Sequence, residues 1–455
     1  MSVIDLSERR AANKKGQTVS PARLAGFEIL SKVKEGAHAS VLLAEMPEEG
    51  RQDDRALTHE LVLGVLRWQR WLDCIIEYFA GRAVANLDLA VRIALELGLY
   101  QVRFLSRVPA SAAVNESVKL VRMARLRSAE SFVNAVLRRA TREPHYDPTV
   151  GIADPLERLA IESSHPTWLI ERWANAFGLE ETRAFALVNN QPAPVAFRIV
   201  PTMTNPAEVL DQLRASSASL VPSLIARGAW RITGAGGLLR DLSQAGKIYV
   251  QDEASQLVGE VLAAQTGDRV LDVCAAPGGK TSQIAASAQM EVIAGDLNER
   301  RLNTVRKTVR LHGLENVQSV VLDGRQAMPF SESSFDRVLV DAPCSGTGAL
   351  RHNPEIRWRI SAEDVRELAK RQKQILLNAS RLVRTGGRLV YSTCSVEPDE
   401  NEAVVRDFMT QSNQFEYVDL AAESGRVGAS GAIRIWPHRD GADGFFITAF
   451  RRKDR

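Results

Sequence analysis

Two short segments place reactive side chains at the ends of apolar runs. Phe335 to Val340 reads as a strand, and Asp341-Ala342-Pro343-Cys344-Ser345-Gly346 follows it. Arg388 to Ser392 reads as another, ending in Thr393-Cys394. Strands that stop at such residues deliver them to the carboxyl edge of a sheet, where open α/β folds bind ligands. A carboxylate can hold or pass a proton and a thiolate is a nucleophile, so these segments could assemble covalent catalysis. A free thiol titrates near pH 8.5, roughly, so a nucleophilic cysteine needs electropositive surroundings. Lys280, Arg351 and Arg357 are the candidates to supply them. The bland alternative for any one cysteine is a small buried hydrophobe. It suits Cys74, which sits in an apolar helical stripe.

A third segment, Leu271-Asp272-Val273-Cys274-Ala275-Ala276-Pro277-Gly278-Gly279-Lys280-Thr281, is a strand, a small-residue turn and a helix start. Gly278 and Gly279 let the backbone approach a ligand, and the helix offers free N–H groups. The spacing is neither that of the dinucleotide fingerprint nor that of the phosphate-gripping loop. The next two strands end in Gly295-Asp296 and Leu322-Asp323-Gly324. A carboxylate at the first can accept from ribose hydroxyls; one at the second can accept from an adenine amino group. Each alone is more often a cap or turn former. In series with Asp341 they favour a nucleoside-bearing ligand. Without a pyrophosphate signature, S-adenosylmethionine (SAM) fits better than NAD.

The elements that must position these groups alternate from Ile248 onward. Strands at Val270–Val273, Val292–Gly295, Val317–Leu322, Phe335–Val340 and Arg388–Ser392 are separated by helices at Thr281–Ser287, Glu299–His312 and Ala362–Val383. Phe445 to Phe450 supplies a last strand. The alternation predicts a doubly wound, mostly parallel sheet in the order 3-2-1-4-5, which makes the fourth and fifth strands neighbours. Cys344 and Cys394 then share one rim, beside the Cys274 loop. Upstream, stripes such as Leu57, Leu61, Val65, Leu72, Ile75, Ile76 and Phe79 predict an all-α bundle. A helix follows, with Trp168, Ile170, Trp173 and Phe177 on its expected buried side, then a small α+β segment around Pro194–Val200 and Trp230–Ile232. The expected divisions are a tail over 1–20, a helical domain over 21–145, linker helices and the small subdomain over 156–245, and an α/β domain over 246–455.

Composition bounds the class. Apolar residues make up 45% and charged ones 25% of the 455 residues, as in soluble globular proteins. The four cysteines show no zinc spacing and are too few for a disulfide framework. No apolar run is long enough for a signal core or a bilayer span. A reduced cytoplasmic monomer without metal or membrane partners is expected. The net charge is only +3, but Asn115–Arg142 holds seven basic residues against two acidic ones. A solvated helix face and a phosphate-contacting patch explain that equally well.

Two sets of motifs resemble known families. Pro109-Ala110-Ser111-Ala112-Ala113-Val114-Asn115-Glu116-Ser117-Val118 and Phe132-Val133-Asn134-Ala135-Val136-Leu137-Arg138-Arg139 resemble the NusB-type RNA-binding domain. Cys-Ala-Ala-Pro-Gly-Gly-Lys, Asp-Ala-Pro-Cys-Ser-Gly and Ser-Thr-Cys-Ser, on these strands in this order, resemble SAM-dependent RNA cytosine-5 methyltransferases. Arg351 to Trp358 and Asp443-Gly444-Phe445-Phe446 match that family too, and the NusB-like front end narrows it to the RsmB type. Arg198-Ile199-Val200 departs from the family's Arg-x-Asn.

The resemblance implies methylation of carbon 5 of a specific cytosine in 16S ribosomal RNA, free or in an early small-subunit particle. It implies Cys394 as nucleophile, Cys344 in product release and Asp341 against the base. It implies that Cys274, Ala275, Ala276, Pro277, Gly278, Gly279, Lys280, Asp296, Asp323 and Asp341 hold SAM. Arg122, Arg125, Arg138, Arg139, Arg198, Arg351 and Arg357 are the expected RNA contacts. A tRNA substrate, a DNA cytosine-5 methyltransferase and a non-catalytic RNA-binding or antitermination factor are the alternatives. The DNA enzymes follow Pro-Cys with Glu-Asn-Val, whereas Pro343-Cys344 is followed by Ser345-Gly346-Thr347.

Overall fold

The computed structural model describes residues 19–47, 51–421 and 431–454. The expected tail over 1–20 lies outside them except for Val19 and Ser20. The chain forms two compact units: residues 1–190 with 352–358, and residues 191–351 with 359–455.

The first unit is helical. Its helices are α1 (Pro21–Lys34), α2 (Ala39–Ala44), α3 (Gln52–Arg67), α4 (Gln69–Ala80), α5 (Leu89–Phe104), α6 (Ala110–Met123), α7 (Glu130–Arg142), α8 (Pro155–Glu162), α9 (Thr167–Phe177) and α10 (Leu179–Val188). Pro21 opens α1 and Asp88 caps α5 by accepting from the Ala90 N–H. Residues Ile93 to Gln101 are buried without interruption, so α5 is the bundle's central rod. Close packing explains two glycines here. A Cβ on Gly64 would lie 2.0 Å from the Tyr100 ring, and one on Gly98 would lie 2.7 Å from Leu137. In α9 the buried face runs through Leu169, Ile170 and Trp173; Trp168 and Phe177 are only half-buried, at its margin. Trp173 packs edge-on against Phe185, with ring centroids 4.7 Å apart.

The second unit holds both sheets. The smaller is antiparallel in the order β2-β3-β1-β4: β1 (Val195–Ile199), β2 (Ser219–Pro222), β3 (Ala229–Thr233) and β4 (Ile248–Val250). With α11 (Pro206–Ala215) and α12 (Gly236–Gln244), it closes over Phe197, Val209, Leu213, Ile232, Leu242 and Ile248. Val200, where the family motif has asparagine, is fully buried.

The larger sheet positions the chemistry. Its strands are β5 (Arg269–Asp272), β6 (Glu291–Asp296), β7 (Val317–Val321), β8 (Phe335–Asp341), β9 (Val383–Thr393), β10 (Phe415–Tyr417), β11 (Ile433–Ile435) and β12 (Phe445–Arg452). The order is β10-β12-β9-β8-β5-β6-β7, with β11 also paired to β12. The strands from β7 to β9 are parallel, and their order is the expected 3-2-1-4-5. Their helices include α13 (Glu253–Val261), α14 (Gly279–Ser287), α15 (Glu299–Leu311), α17 (Ala362–Leu382) and α18 (Glu402–Gln411); the single turn α16 (Ile356–Arg359), between α15 and α17 in the chain, falls in the first unit up to Trp358. The strand expected from Arg388 begins at Val383, directly after α17. Gly386 has φ +73°, and a Cβ on Gly387 would meet the Asp336 carbonyl at 2.9 Å, so this Gly-Gly pair lets the early part of β9 bend against β8.

Beyond β8 and β9 the two thiol loops join the start of β12. The Gly348 N–H donates to the Cys394 carbonyl (2.9 Å), and the Gly444 N–H donates to the Gly348 carbonyl (2.8 Å). A Cβ on Gly348 would fall 2.0 Å from the Gly444 carbonyl oxygen, a backbone atom that cannot swing aside. Gly348→Ala should therefore cost about 1–3 kcal/mol of stability. Urea denaturation should show a lower midpoint with an unchanged m-value; a wild-type midpoint would contradict this packing.

Candidate active site

The β5–α14 turn forms the floor of a cleft of about 210 Å³. Cys274, Ala275, Ala276, Pro277, Gly279, Lys280 and Asp341 line it, with Asp272, Tyr249 and Gln251. Gly278 stands at φ +106° as the residue before α14, a conformation that favours glycine. A Cβ on Gly279 would come within 2.7 Å of the Tyr249 ring, so both glycines keep the floor open. Asp296, at the end of β6, is buried and accepts from the backbone N–H groups of Ala276 (3.3 Å) and Asn298 (3.0 Å). Asp323 lies apart from the lining. Its carboxylate is held by the Arg325 side chain two residues on, at 2.8 to 3.2 Å, and that bond keeps it below the usual carboxylate range. A larger hollow of about 760 Å³ lies beside α13, but neither a thiol nor a strand-end carboxylate lines it.

The thiols meet. Cys344 Sγ and Cys394 Sγ are 3.3 Å apart, and both residues are partly exposed. Their loops leave adjacent parallel strands, as the expected order required. Asp341 stands at the same rim. Its Oδ1 accepts from the Ser392 hydroxyl and its Oδ2 from the Lys280 ammonium, each at 2.7 Å. Burial works against the Lys280 charge, but the Asp341 carboxylate holds its pKa above the ordinary value. The Lys280 Nζ also lies 5.3 Å from the centroid of the Phe445 ring. The hydrogen bond to Cys394, then burial, then the negative charges around it push the Cys344 thiol well above its usual range. Burial does the same to Cys274, reinforced by Asp272.

Other expected residues fall elsewhere. Arg122, Arg125, Arg138 and Arg139 are exposed on α6, α7 and their connection. Arg198, Arg351 and Arg357 are buried and bonded within the protein, which withdraws them from phosphate contact. Arg198 donates to the Ser282 hydroxyl (2.7 Å) and the Gly279 carbonyl (3.2 Å), so it braces α14 instead. Arg351 donates to the carbonyls of Pro192 (2.8 Å) and Gly441 (3.2 Å). Arg357 is fully buried and donates to Asn190 Oδ1 at 2.8 Å. Trp358 is anchored through its indole N–H to the Leu66 carbonyl (2.9 Å). Sequence reasoning missed the groups around the thiols, above all Glu400, Ser345, Ser395 and Gln372. Hydroxyl residues beside both cysteines were the available signal, because buried hydroxyls require partners.

Comparison with known proteins identifies the family and the fold. The family model for 16S rRNA methyltransferase RsmB/F matches residues 259–451, the NusB family model matches 20–142, and the ferredoxin-like domain of RsmF/B-like methyltransferases matches 165–237. The probable ribosomal RNA small subunit methyltransferase B of Bacillus subtilis is 34% identical over 442 residues, 94% of this chain and 98% of that one. The chain belongs to the ribosomal RNA small subunit methyltransferase B family. The Yersinia pseudotuberculosis relative, ribosomal RNA small subunit methyltransferase B, is 31% identical over 436 residues, 94% of this chain and 98% of its own length. Among solved structures, PH0851 superposes with a TM-score of 0.81 at 26% identity, covering 96% of this chain and 99% of its own. A methyltransferase homologue from Pyrococcus horikoshii shares the fold over 66% of this chain and all of its own, with a TM-score of 0.58 at 24% identity.

The family's cofactor is SAM, and the cleft suits it. Small residues leave the floor open, and Asp272 presents a buried oxygen, Oδ1, without a hydrogen-bond partner; Asp296 is outside the lining and meets the floor through its bond from the Ala276 N–H. A cationic group of a ligand would satisfy that oxygen. Among the described residues, no helix is long and apolar enough to cross a membrane.

Burial raises the Asp272 pKa to about 7, against the pull of the Thr281 hydroxyl and with Asp341 adding to the rise. A carboxyl raised in the folded state holds a proton that the unfolded chain has already lost. Its contribution to stability therefore falls as pH rises from the ordinary carboxylate range to about 7. Asp272→Asn, which cannot ionise, should gain stability relative to the wild type between pH 5, which lies inside that window, and pH 8, which lies above it. Urea unfolding of both proteins at the two pH values measures this. An unchanged difference would show that Asp272 ionises normally.

Proposed function

We propose that the protein transfers the methyl group of SAM to carbon 5 of a specific cytosine in 16S ribosomal RNA, through a covalent adduct between Cys394 and carbon 6. The observation that carries this reading is the convergence of two thiols, 3.3 Å apart, with Asp341 at the ends of two paired strands. One thiol would suffice for nucleophilic attack. Two within contact distance suit a reaction that must both make and break a carbon–sulfur bond.

Carbon 5 of cytosine is a poor nucleophile until carbon 6 is attacked. The Cys394 thiolate adds to carbon 6, the carbon 5–carbon 6 double bond moves its electrons into the ring, and N3 takes a proton relayed from solvent through Asp341. Asp341 faces N3 and the exocyclic amine in this reading. The Lys280 ammonium, 2.7 Å from its Oδ2, fixes that orientation and supplies positive charge beside the ring. SAM supplies the methyl cation equivalent that carbon 5 then accepts. The carbon 5 proton is taken up by Cys344 as its own proton passes to the departing sulfur; the bond to Cys394 breaks as the double bond re-forms, and N3 gives its proton back through Asp341. Cys344, held in its protonated form by Cys394, burial and the nearby negative charge, offers a proton to the departing sulfur. A base inside folded RNA must be looped or flipped out to reach this rim. The exposed Arg122, Arg125, Arg138 and Arg139 would hold surrounding phosphates. Arg138 also lines an open hollow of about 340 Å³ with Ser111, Asn115 and Arg142. The names of the relatives above support 16S ribosomal RNA over tRNA.

Cys394→Ala should abolish methyl transfer to 16S ribosomal RNA. Cys344→Ala should leave the protein bound to RNA as a denaturant-stable, gel-shifted adduct. Bisulfite sequencing of the RNA and denaturing gels read the two outcomes. Full activity of Cys394→Ala would overturn the assigned roles.

A further inference from the structure

The site contains a carboxylate that the chemistry above does not use. Glu400 lies on the loop after β9, and its side chain turns back beneath both thiol loops. Its Oε1 accepts from the Ser345 backbone N–H (2.8 Å) and from Gln372 Nε2 (2.9 Å). Its Oε2 accepts from the Ser395 hydroxyl (2.5 Å) and from the Ser345 hydroxyl. Ser345 follows Cys344 and Ser395 follows Cys394, so one carboxylate is bonded to the immediate neighbour of each thiol. Gln372 also donates to the Pro343 carbonyl (2.9 Å), and the buried Tyr391 hydroxyl donates to the Glu400 carbonyl (2.5 Å). Glu400 is fully buried. Such a carboxylate is costly to hold unless its acceptor sites are filled, and here four donors fill them.

We propose that Glu400 is a positioning residue whose carboxylate clamps the loops of Cys344 and Cys394 together and so sets the distance between the two sulfurs. Parallel pairing of β8 and β9 ends at Asp341 and Ser392. Beyond that point the ladder no longer fixes either loop. The ties there are the Gly348 N–H bond to the Cys394 carbonyl, the Val396 N–H bond to the Thr347 hydroxyl (3.2 Å), contacts of the Ser395 hydroxyl with those of Ser345 (3.0 Å) and Thr347 (3.3 Å), and the shared carboxylate, which is the one charged group among them and bonds to both serines. Removing the carboxylate strands Ser345 and Ser395 donors in a buried site and frees the loops to part. Replacement by glutamine is different in kind. Its amide oxygen can keep the bonds from the Ser345 N–H and Gln372, and the serine hydroxyls can rotate to accept from its amino group.

The consequence for catalysis rests on the covalent reading above, so the test has two arms. The first measures thiol geometry without RNA. A diazene oxidant takes two hydrogens, as two protons and two electrons, from a thiol pair to give a disulfide and a hydrazine. Sulfurs 3.3 Å apart need only a small approach to reach a bond of about 2.05 Å. Mass spectrometry of the Cys344–Cys394 peptide pair follows the rate. The second arm measures kcat and KM on 16S ribosomal RNA. Glu400→Ala should slow disulfide formation at least about tenfold and cut kcat about 10²-fold, because displacement of reacting groups by about an ångström has that effect. KM for RNA and SAM affinity should stay within about twofold of wild type, since Glu400 touches neither the cleft lining nor the exposed arginines. Glu400→Gln should restore most of the disulfide rate. Where Glu400→Ala fails to fold, Glu400→Asp serves in its place, since it shortens the clamp by one methylene while keeping the charge. Wild-type disulfide rates in a folded Ala or Asp variant would overturn the clamp. Slowed disulfide formation with an unchanged kcat would leave the clamp standing and overturn the shared role of the thiols in the reaction.

Discussion

The structure depends on the parallel pairing of β8 with β9. In that ladder Asp341 stands opposite Ser392, and the Ala342 N–H donates to the Ser392 carbonyl at 2.9 Å. From this register the rest of the site follows. Asp341 reaches the Ser392 hydroxyl, Cys344 lies three residues past β8 and Cys394 one residue past β9. A strand alternates its faces, so a slip of one residue would turn Asp341 away from Lys280 and separate the thiols. The glycines serve the same register. Gly387 permits close approach early in β9, and Gly348 with Gly444 permits the backbone crossing beyond its end.

Charge is arranged around that ladder in three different ways. Lys280 and Asp341 form a partly buried pair at the mouth of the cleft, and the carboxylate holds the Lys280 pKa above its ordinary value. Asp272, one strand over, has a hydroxyl partner on one oxygen and none on the other, and burial raises its pKa to about 7. Glu400 is filled by donors on both oxygens. Burial still pushes its pKa up, so the donors moderate the cost of burying the carboxylate without cancelling it. A paired charge steers, an incompletely bonded acid awaits a cationic ligand group, and a saturated carboxylate holds backbone in place. The same carboxyl group thus does three jobs, set by its neighbours.

Much of this was legible in the sequence because it rests on local pattern. Apolar runs ending in Asp272, Asp296 and Asp341 fixed the strand ends to within a residue or two, and right-handed β-α-β connection leaves few orders for the strands between. The pairing of Cys344 with Cys394 across 50 positions followed from that order alone. What pattern could not show was the destination of long polar side chains. Arg198, Arg351 and Arg357 look like surface cations in the chain, yet each reaches back to backbone carbonyls or side chains far away in sequence. Asp323 sits at the expected strand end, but Arg325, two residues on, takes up its carboxylate. Glu400 stands in the polar run Glu397-Pro398-Asp399-Glu400-Asn401-Glu402, which reads as a solvated turn. Its burial depends on donors from α17 and from two loops, none of them near it on one helix or strand.

The central claim is that the Cys394 sulfur bonds to the target base while the Cys344 sulfur does not. A 16S ribosomal RNA fragment carrying 5-fluorocytidine tests it directly, because fluorine at carbon 5 cannot leave as a proton does and the adduct is trapped after methyl transfer. The protein should be incubated with this RNA and SAM, digested with nuclease and protease, and mapped by mass spectrometry. A methylated fluorocytosine nucleotide is expected on the peptide containing Cys394 and none on the peptide containing Cys344. A nucleotide on Cys344, or methylation of unsubstituted RNA with no trapped adduct on either peptide, would contradict it.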